Sequence, residues 1–357
     1  MNEGSSGNTE TAQLQTDFER VTAIIVTEFQ VEESMLEHGI PTYYLKQPQE
    51  TKQPFLNLLK KLEEINFIAV LRKVDGRIVL KVIPKPATKK SNTLINLLLF
   101  FATIATTFIT GYFLSEGLTN PLIGGATFTV AIMAVIGTHE MGHKLTADKK
   151  GVKATLPYFI PGPPPFGTFG AVIMQKDLPA NKDSLFDVGS SGPIAGFIIA
   201  CVVTLIGLTM AIPAEPPPEG YTILPTPLIS ILLGYLLQSF RLLPQPPPGQ
   251  LLFMHPVEFA GWVGMVVTML NLLPVAMLDG GHVARSLAGE KVRAALSIAS
   301  IALLVWEGFW AMAIFVLFLA MQRHPGPLDD VSSLSRGRKL LTLVLILIFI
   351  LAFPLPL

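Results

Sequence analysis

From Thr93 onward the chain is a succession of apolar runs of roughly bilayer length, and the charges and prolines fall in the short segments between them. That pattern leaves few folds open. In hydrocarbon a backbone must satisfy its own hydrogen bonds, and runs of about 20 residues suit a helix rather than a barrel strand. Thr93 to Leu114, Leu122 to about Leu145, Leu185 to Ile212, Val257 to about Leu273 and Leu340 to Leu355 are the expected spans. Leu228 to Phe240 is short and suits an outer interfacial helix, while Ala294 to Met321 is long for one crossing. The internal Glu307-Gly308 divides that last run into a hairpin of two short helices. The fold class expected is a polytopic α-helical membrane protein with about six to eight transmembrane helices, a re-entrant or extended loop, and a small N-terminal α+β domain. Composition agrees, with 50% hydrophobic and 15% charged residues, where globular domains carry about 25% charged residues.

Ahead of the first span the composition is that of a soluble module. Residues 1–12 are Gly/Ser/Asn/Thr-rich and expected to be disordered, and residues 13–85 read as a soluble cytoplasmic α+β module. Phe55, Leu58, Leu59 and Leu62 have helical spacing behind Pro54, and two β-rich runs flank Asp75-Gly76, a hairpin signal. Residues 86–92 form a basic linker, and 93–357 the transmembrane domain. The net charge is zero, so nucleic acid is not an expected partner; the lone Cys201 excludes an internal disulfide and reads as a small buried hydrophobe.

Lys89 and Lys90 before the first run place the N-terminus in the cytoplasm by the positive-inside rule. Met1 to Glu19 is polar, with neither a signal peptide's apolar centre nor a transit peptide's Arg-rich, acid-poor character. The expected home is therefore the cell membrane of a bacterium or archaeon, with the polar ends of the second and fourth spans toward the cytoplasm.

One of those ends carries His139-Glu140-Met141-Gly142-His143. On a helix, residues i and i+4 share a face, so His139 and His143 can bind one metal while Glu140 reaches a water beside it. Three such groups in an apolar run are costly unless they have partners. A catalytic zinc held by two histidines needs a third protein ligand and an open position. Asp279 is the downstream candidate, after Pro274 and before Gly280-Gly281, which break helicity; a plain helix N-cap is its alternative role, and His282 its competitor. Asn271 can bind substrate or join helices, and His255 and His324 read as interface residues.

Between the two motifs, Pro161 to Pro165 and several glycines break up any helix, and Phe166 to Met174 suggests an extended segment. Phe169, Gly170, Ala171 and Val172 are candidates to pair with a peptide substrate, an ordinary loop being the alternative. Gly189-Ser190-Ser191-Gly192-Pro193-Ile194-Ala195-Gly196 reads as close helix packing.

Together these stretches resemble the site-2 protease family of intramembrane zinc metalloproteases, whose pattern is H-E-x-x-H on one helix and an Asn/Pro…Asp-Gly segment on a later one. His139, Glu140, His143, Asn271 and Asp279 fall on its motif positions, and the resemblance runs from about Thr93 onward. The long N-terminal module is closest to the branch shared by plant plastids, cyanobacteria and archaea; no PDZ-like insert lies between the motifs. The resemblance implies one Zn²⁺ per chain on His139, His143 and Asp279, Glu140 as catalytic base, and transmembrane proteins in the bilayer as substrates. A metal-binding membrane scaffold that does not cut is the alternative class, and a metal transporter would need intramembrane acids beyond Glu307. Oligomeric state is not written in the sequence.

Overall fold

The computed structural model describes residues 4–87, 91–216, 223–275, 277–322 and 324–355. Residues 88–90 of the expected linker lie outside them, as does Arg323. The chain divides into two compact units, one of residues 1–90, 178–185 and 325–335, the other of residues 91–177, 186–324 and 336–357.

In the first unit, α1 (Gly4–Ile25) starts within the Gly/Ser-rich stretch expected to be disordered. Strands β1 (Val31–Glu37) and β2 (Ile40–Leu45) follow, turning at His38 and Gly39, both with positive φ. Helix α2 (Lys52–Glu63) buries Phe55, Leu58 and Leu62. Strands β3 (Phe67–Val74) and β4 (Arg77–Pro84) turn at Asp75 (φ 48°) and Gly76 (φ 82°), the left-handed pair a tight type I′ hairpin requires. The antiparallel sheet has the order β1-β2-β4-β3. Its core is completed from far along the chain: Leu328 is buried among Phe55, Leu58 and Leu71. The Leu71 amide donates to the Leu328 carbonyl at 2.9 Å, and the Asp329 amide to the Ala180 carbonyl at 2.9 Å. Buried Asp329 accepts the amides of Val331 and Ser332 at 2.8 and 3.0 Å, which satisfies a carboxylate no water reaches.

The second unit is mostly helical: α3 (Thr93–Ser115), α4 (Pro121–Lys149), α5 (Lys182–Thr209, its first turn in the first unit), α6 (Leu228–Ser239), α7 (Pro256–Asn271), α8 (Asp279–Trp306), α9 (Trp310–Ala320) and α10 (Arg336–Ala352). Several of these long apolar helices fit a membrane-embedded domain; among the described residues α3, α4 and α5 are long and apolar enough to cross a bilayer alone. Asn120 caps α4 by accepting the amides of Leu122 and Ile123, with Pro121 in the first helical position. The chain turns between α8 and α9 at Glu307-Gly308, and α8 is itself broken at Gly289 (φ 79°).

Between α4 and α5 the chain forms an antiparallel hairpin, β5 (Tyr158–Pro161) and β6 (Thr168–Val172), packed on α3 and α4. Phe159 joins the helical core, and Phe166 at the hairpin tip stacks on Phe259 of α7 with ring centroids 6.2 Å apart. Protein groups must satisfy backbone that is buried away from water. Polar side chains of α3 do so here: Asn96 donates to the carbonyls of Leu156 and Pro157, both at 3.0 Å, and Thr106 to that of Gly167 at 2.7 Å. Thr168 donates to the Ile160 carbonyl at 2.8 Å. Where a re-entrant or extended loop was expected, the chain forms a β-hairpin held by α3.

Candidate metal centre

His139, Glu140 and His143 are all buried on α4, inside the helical unit. Asp279 comes from the first turn of α8, 136 positions beyond His143. Leu278 occupies the N-cap position, so the Asp279 side chain is turned to the histidines instead of capping its helix. Gly280 makes this approach possible, because a Cβ there would collide with the Leu272 carbonyl at the end of α7. The loop between these helices is tied by Ser297, whose hydroxyl donates to the Pro274 carbonyl at 2.8 Å.

His139 Nε2, His143 Nε2 and Asp279 Oδ2 form a triangle with three edges of 3.2 Å. Two imidazole nitrogens and a carboxylate oxygen converging on one point suit a cation. Ligands about 2.0–2.1 Å from a tetrahedral zinc lie about 3.3–3.4 Å from one another, close to the separations seen. The His-His-Asp set therefore fits zinc and leaves one tetrahedral position open.

The surroundings orient these ligands. His143 Nδ1 lies 2.7 Å from the Val188 carbonyl oxygen of α5, which can only accept, so the proton is on Nδ1 and Nε2 faces the cluster. The Asn271 amide nitrogen is 3.3 Å from His139 Nε2. The backbone of Ile173, next to β6, lies near the Glu140 carboxyl. Phe169 is 70% exposed and Val172 47%; Gly170 (φ 96°) and Ala171 are half-buried beside them. Strand β6 is paired on one edge only among the described residues.

His282 does not join the triangle; its Nδ1 is 2.7 Å from His324 Nε2. His255 caps α7 through the Val257 amide. The small residues of α5 pack as their composition suggests, yet what they pack on is the site itself. A Cβ at Gly192 would overlap His143 Nε2, and one at Gly196 would come within 2.9 Å of His139 Nδ1. Gly189 approaches His282 and the Asp279 carbonyl. Sequence reasoning missed this wall; the spacing Gly189, Gly192, Gly196, one helix face, is the signal that could have found it.

A family model described as peptidase family M50 matches residues 127–314. Among curated relatives, "Probable zinc metalloprotease EGY2, chloroplastic" of Arabidopsis thaliana is 31% identical over 239 residues, covering 62% of this chain and 40% of that protein. "Probable zinc metalloprotease EGY1, chloroplastic" of Oryza sativa subsp. japonica is 31% identical over 230 residues, covering 62% and 39%. "Probable zinc metallopeptidase EGY3, chloroplastic" of Arabidopsis thaliana is 28% identical over 282 residues, covering 71% and 47%. The chain thus spans less than half the length of these relatives, and no solved structure matches it. Their names correct one expectation: they point to a plastid membrane, not to the cell membrane of a bacterium or archaeon with a cytoplasmic N-terminus. Apolar runs suit any bilayer with a hydrocarbon core of about 30 Å, so hydropathy carries no address.

Proposed function

The chain belongs to peptidase family M50, and we propose that it is an intramembrane zinc metalloprotease that hydrolyses peptide bonds within transmembrane segments of other proteins. The observation that carries this reading is the 3.2 Å triangle of His139, His143 and Asp279 with Glu140 buried beside it. In this reading α3, α4, α5, α7 and α10 cross the bilayer and α8 and α9 bring the count within the expected six to eight. Residues 13–85, with the later segments that complete their core, form a module outside the bilayer.

His139, His143 and Asp279 would hold the zinc, which when bound supplies the Lewis acidity that brings a water's pKa down to about 7 and polarises a carbonyl. Glu140 acts as general base, taking a proton from the attacking water and delivering it to the leaving amine. Val188 holds His143 in the required tautomer. The Asn271 amide donates to the substrate carbonyl oxygen. A transmembrane helix must unwind locally before its carbonyl is reachable, and the free edge of β6 from Phe169 to Val172 can pair with the unwound strand.

The test is cleavage of a transmembrane substrate in detergent by wild type and Glu140→Gln, with zinc measured in both. The protease reading expects cleavage to be lost and zinc kept. Equal cleavage by the two proteins would remove Glu140 from the chemistry and leave the scaffold class standing.

A further inference from the structure

Asp187 immediately precedes Val188, whose carbonyl orients His143, and its carboxylate is held from two sides. Arg338 of α10 grips it with both arms of its guanidinium, Nε to Oδ1 and Nη2 to Oδ2, each at 2.6 Å. Lys150, at the C-terminal end of α4, places its ammonium 2.6 Å from Oδ2. The Asp187 side chain is only 19% exposed and that of Arg338 25%, so the cluster is sheltered from much of the water that weakens surface ion pairs. The proposed chemistry uses none of these groups.

Ordinary roles at helix ends do not account for them. Helix α5 begins at Lys182, so Asp187 stands beyond the first turn, where a carboxylate no longer meets free amides or the positive end of the dipole. Arg338 stands in the first turn of α10, the end at which a cation is disfavoured. Each residue is explained by the other, as a two-point pair of carboxylate and guanidinium.

This cluster fastens the contact between α4 and α5. His143, Ala147 and Lys150 recur at i, i+4 and i+7, one face of α4 about 10 Å long at 1.5 Å per residue. Two adjacent residues of α5 meet all three. The Val188 carbonyl lies 2.7 Å from His143 Nδ1, the Val188 side chain is buried with Ala147 and Val152, and the Asp187 carboxylate takes Lys150. Neighbouring residues of a helix move together, because the hydrogen-bond ladder fixes their backbone. A displacement of about 0.5 Å is enough to take a contact of this length to the limit of a good hydrogen bond, about 3.2 Å.

We propose that Asp187 is a positioning residue of the metal centre. Clamped between Arg338 and Lys150, it sets the place of the Val188 carbonyl and, through it, the imidazole of His143 that presents Nε2 to the metal. The inference rests on reading His139, His143 and Asp279 as a zinc site, and it extends the support of that site to α10.

The test measures zinc affinity of the full chain in detergent by competition with a chromophoric chelator. Visible absorption of the cobalt-substituted protein is recorded beside it, because those bands report ligand geometry and not the stability of the fold. Asp187→Asn and Arg338→Gln are each expected to weaken zinc about tenfold, the lower end of the range for groups that orient a ligand, and to shift the cobalt bands. The double variant should bind no more weakly than either single one, since both remove the same clamp. Lys144→Gln is the control: it breaks a 2.6 Å pair with Asp148 inside α4, next to His143, and should change neither quantity. Lys150→Gln leaves the Arg338 pair in place and should weaken zinc about threefold, which keeps the proposal open to refutation if Asp187→Asn does not fold. Variants that melt lower yet bind zinc within about twofold of wild type, with unmoved cobalt bands, would have lost a structural staple only and would overturn the proposal. An equal loss in Lys144→Gln would do the same. Wild type that binds neither metal would overturn the metal reading of the site and the proposal with it, whereas wild type that binds both beside unchanged variants overturns the proposal alone.

Discussion

The Nδ1 atom of His143 lies 2.7 Å from the carbonyl oxygen of Val188, so α5 fixes the tautomer of a histidine carried by α4. Helix α5 brings that carbonyl within reach because glycines line the same face. At Gly192 the helix has no side chain where the imidazole passes.

Gly192→Ala should therefore displace His143 and lower bound zinc well below one per chain, with cleavage falling in parallel. Gly234→Ala in α6 is the matched control, since a Cβ there meets nothing within 4 Å. Zinc content of the two purified variants checks this, and full occupancy in Gly192→Ala would mean that α5 yields without cost.

Glu140→Gln is isosteric and leaves the three ligands in place. Cleavage should fall about 100- to 10,000-fold, the range removed with a general acid or base, at unchanged zinc content. Single-turnover cleavage with metal analysis reads both quantities from one preparation.

Removing zinc leaves two histidine nitrogens and a carboxylate oxygen 3.2 Å apart without the cation that accounts for their convergence. A chelator should lower the melting temperature and added zinc restore it; free zinc at 100 times its dissociation constant contributes about 2.7 kcal/mol. Asp279→Ala should melt near the chelated temperature and gain little on zinc addition. A thermal shift series against zinc concentration distinguishes these outcomes.

In the first unit, Leu328 fills a core position beside Leu71. Truncating it to Ala should cost about 2–5 kcal/mol within that unit, as for other buried leucines. Hydrogen exchange of the full chain should show faster exchange at the β3 amides, with the α4 amides unchanged.

Local patterns made much of this legible. The apolar runs located the helices because a bilayer leaves backbone no other partner than its own chain. Asp75-Gly76 located a hairpin because both residues tolerate positive φ. The missed strands β1 and β2 turn at His38-Gly39, where a histidine holds the left-handed conformation that asparagine or glycine would have advertised. The span of the first unit was legible only in part, since hydrophobicity at Leu328 does not say which core it enters.

The sequence by itself determined the chemistry available at the centre: two histidines one helical turn apart, a carboxylate between them, and an aspartate freed by proline and glycine. Those are properties of spacing along a helix and of residue type. Tertiary structure alone decided that Asp279 meets the histidines at 3.2 Å, that Val188 orients His143, and that α5's glycines form the wall behind them. Such relations depend on how helices distant in sequence cross, and crossing is set by the summed packing of many small and large side chains that no local pattern records.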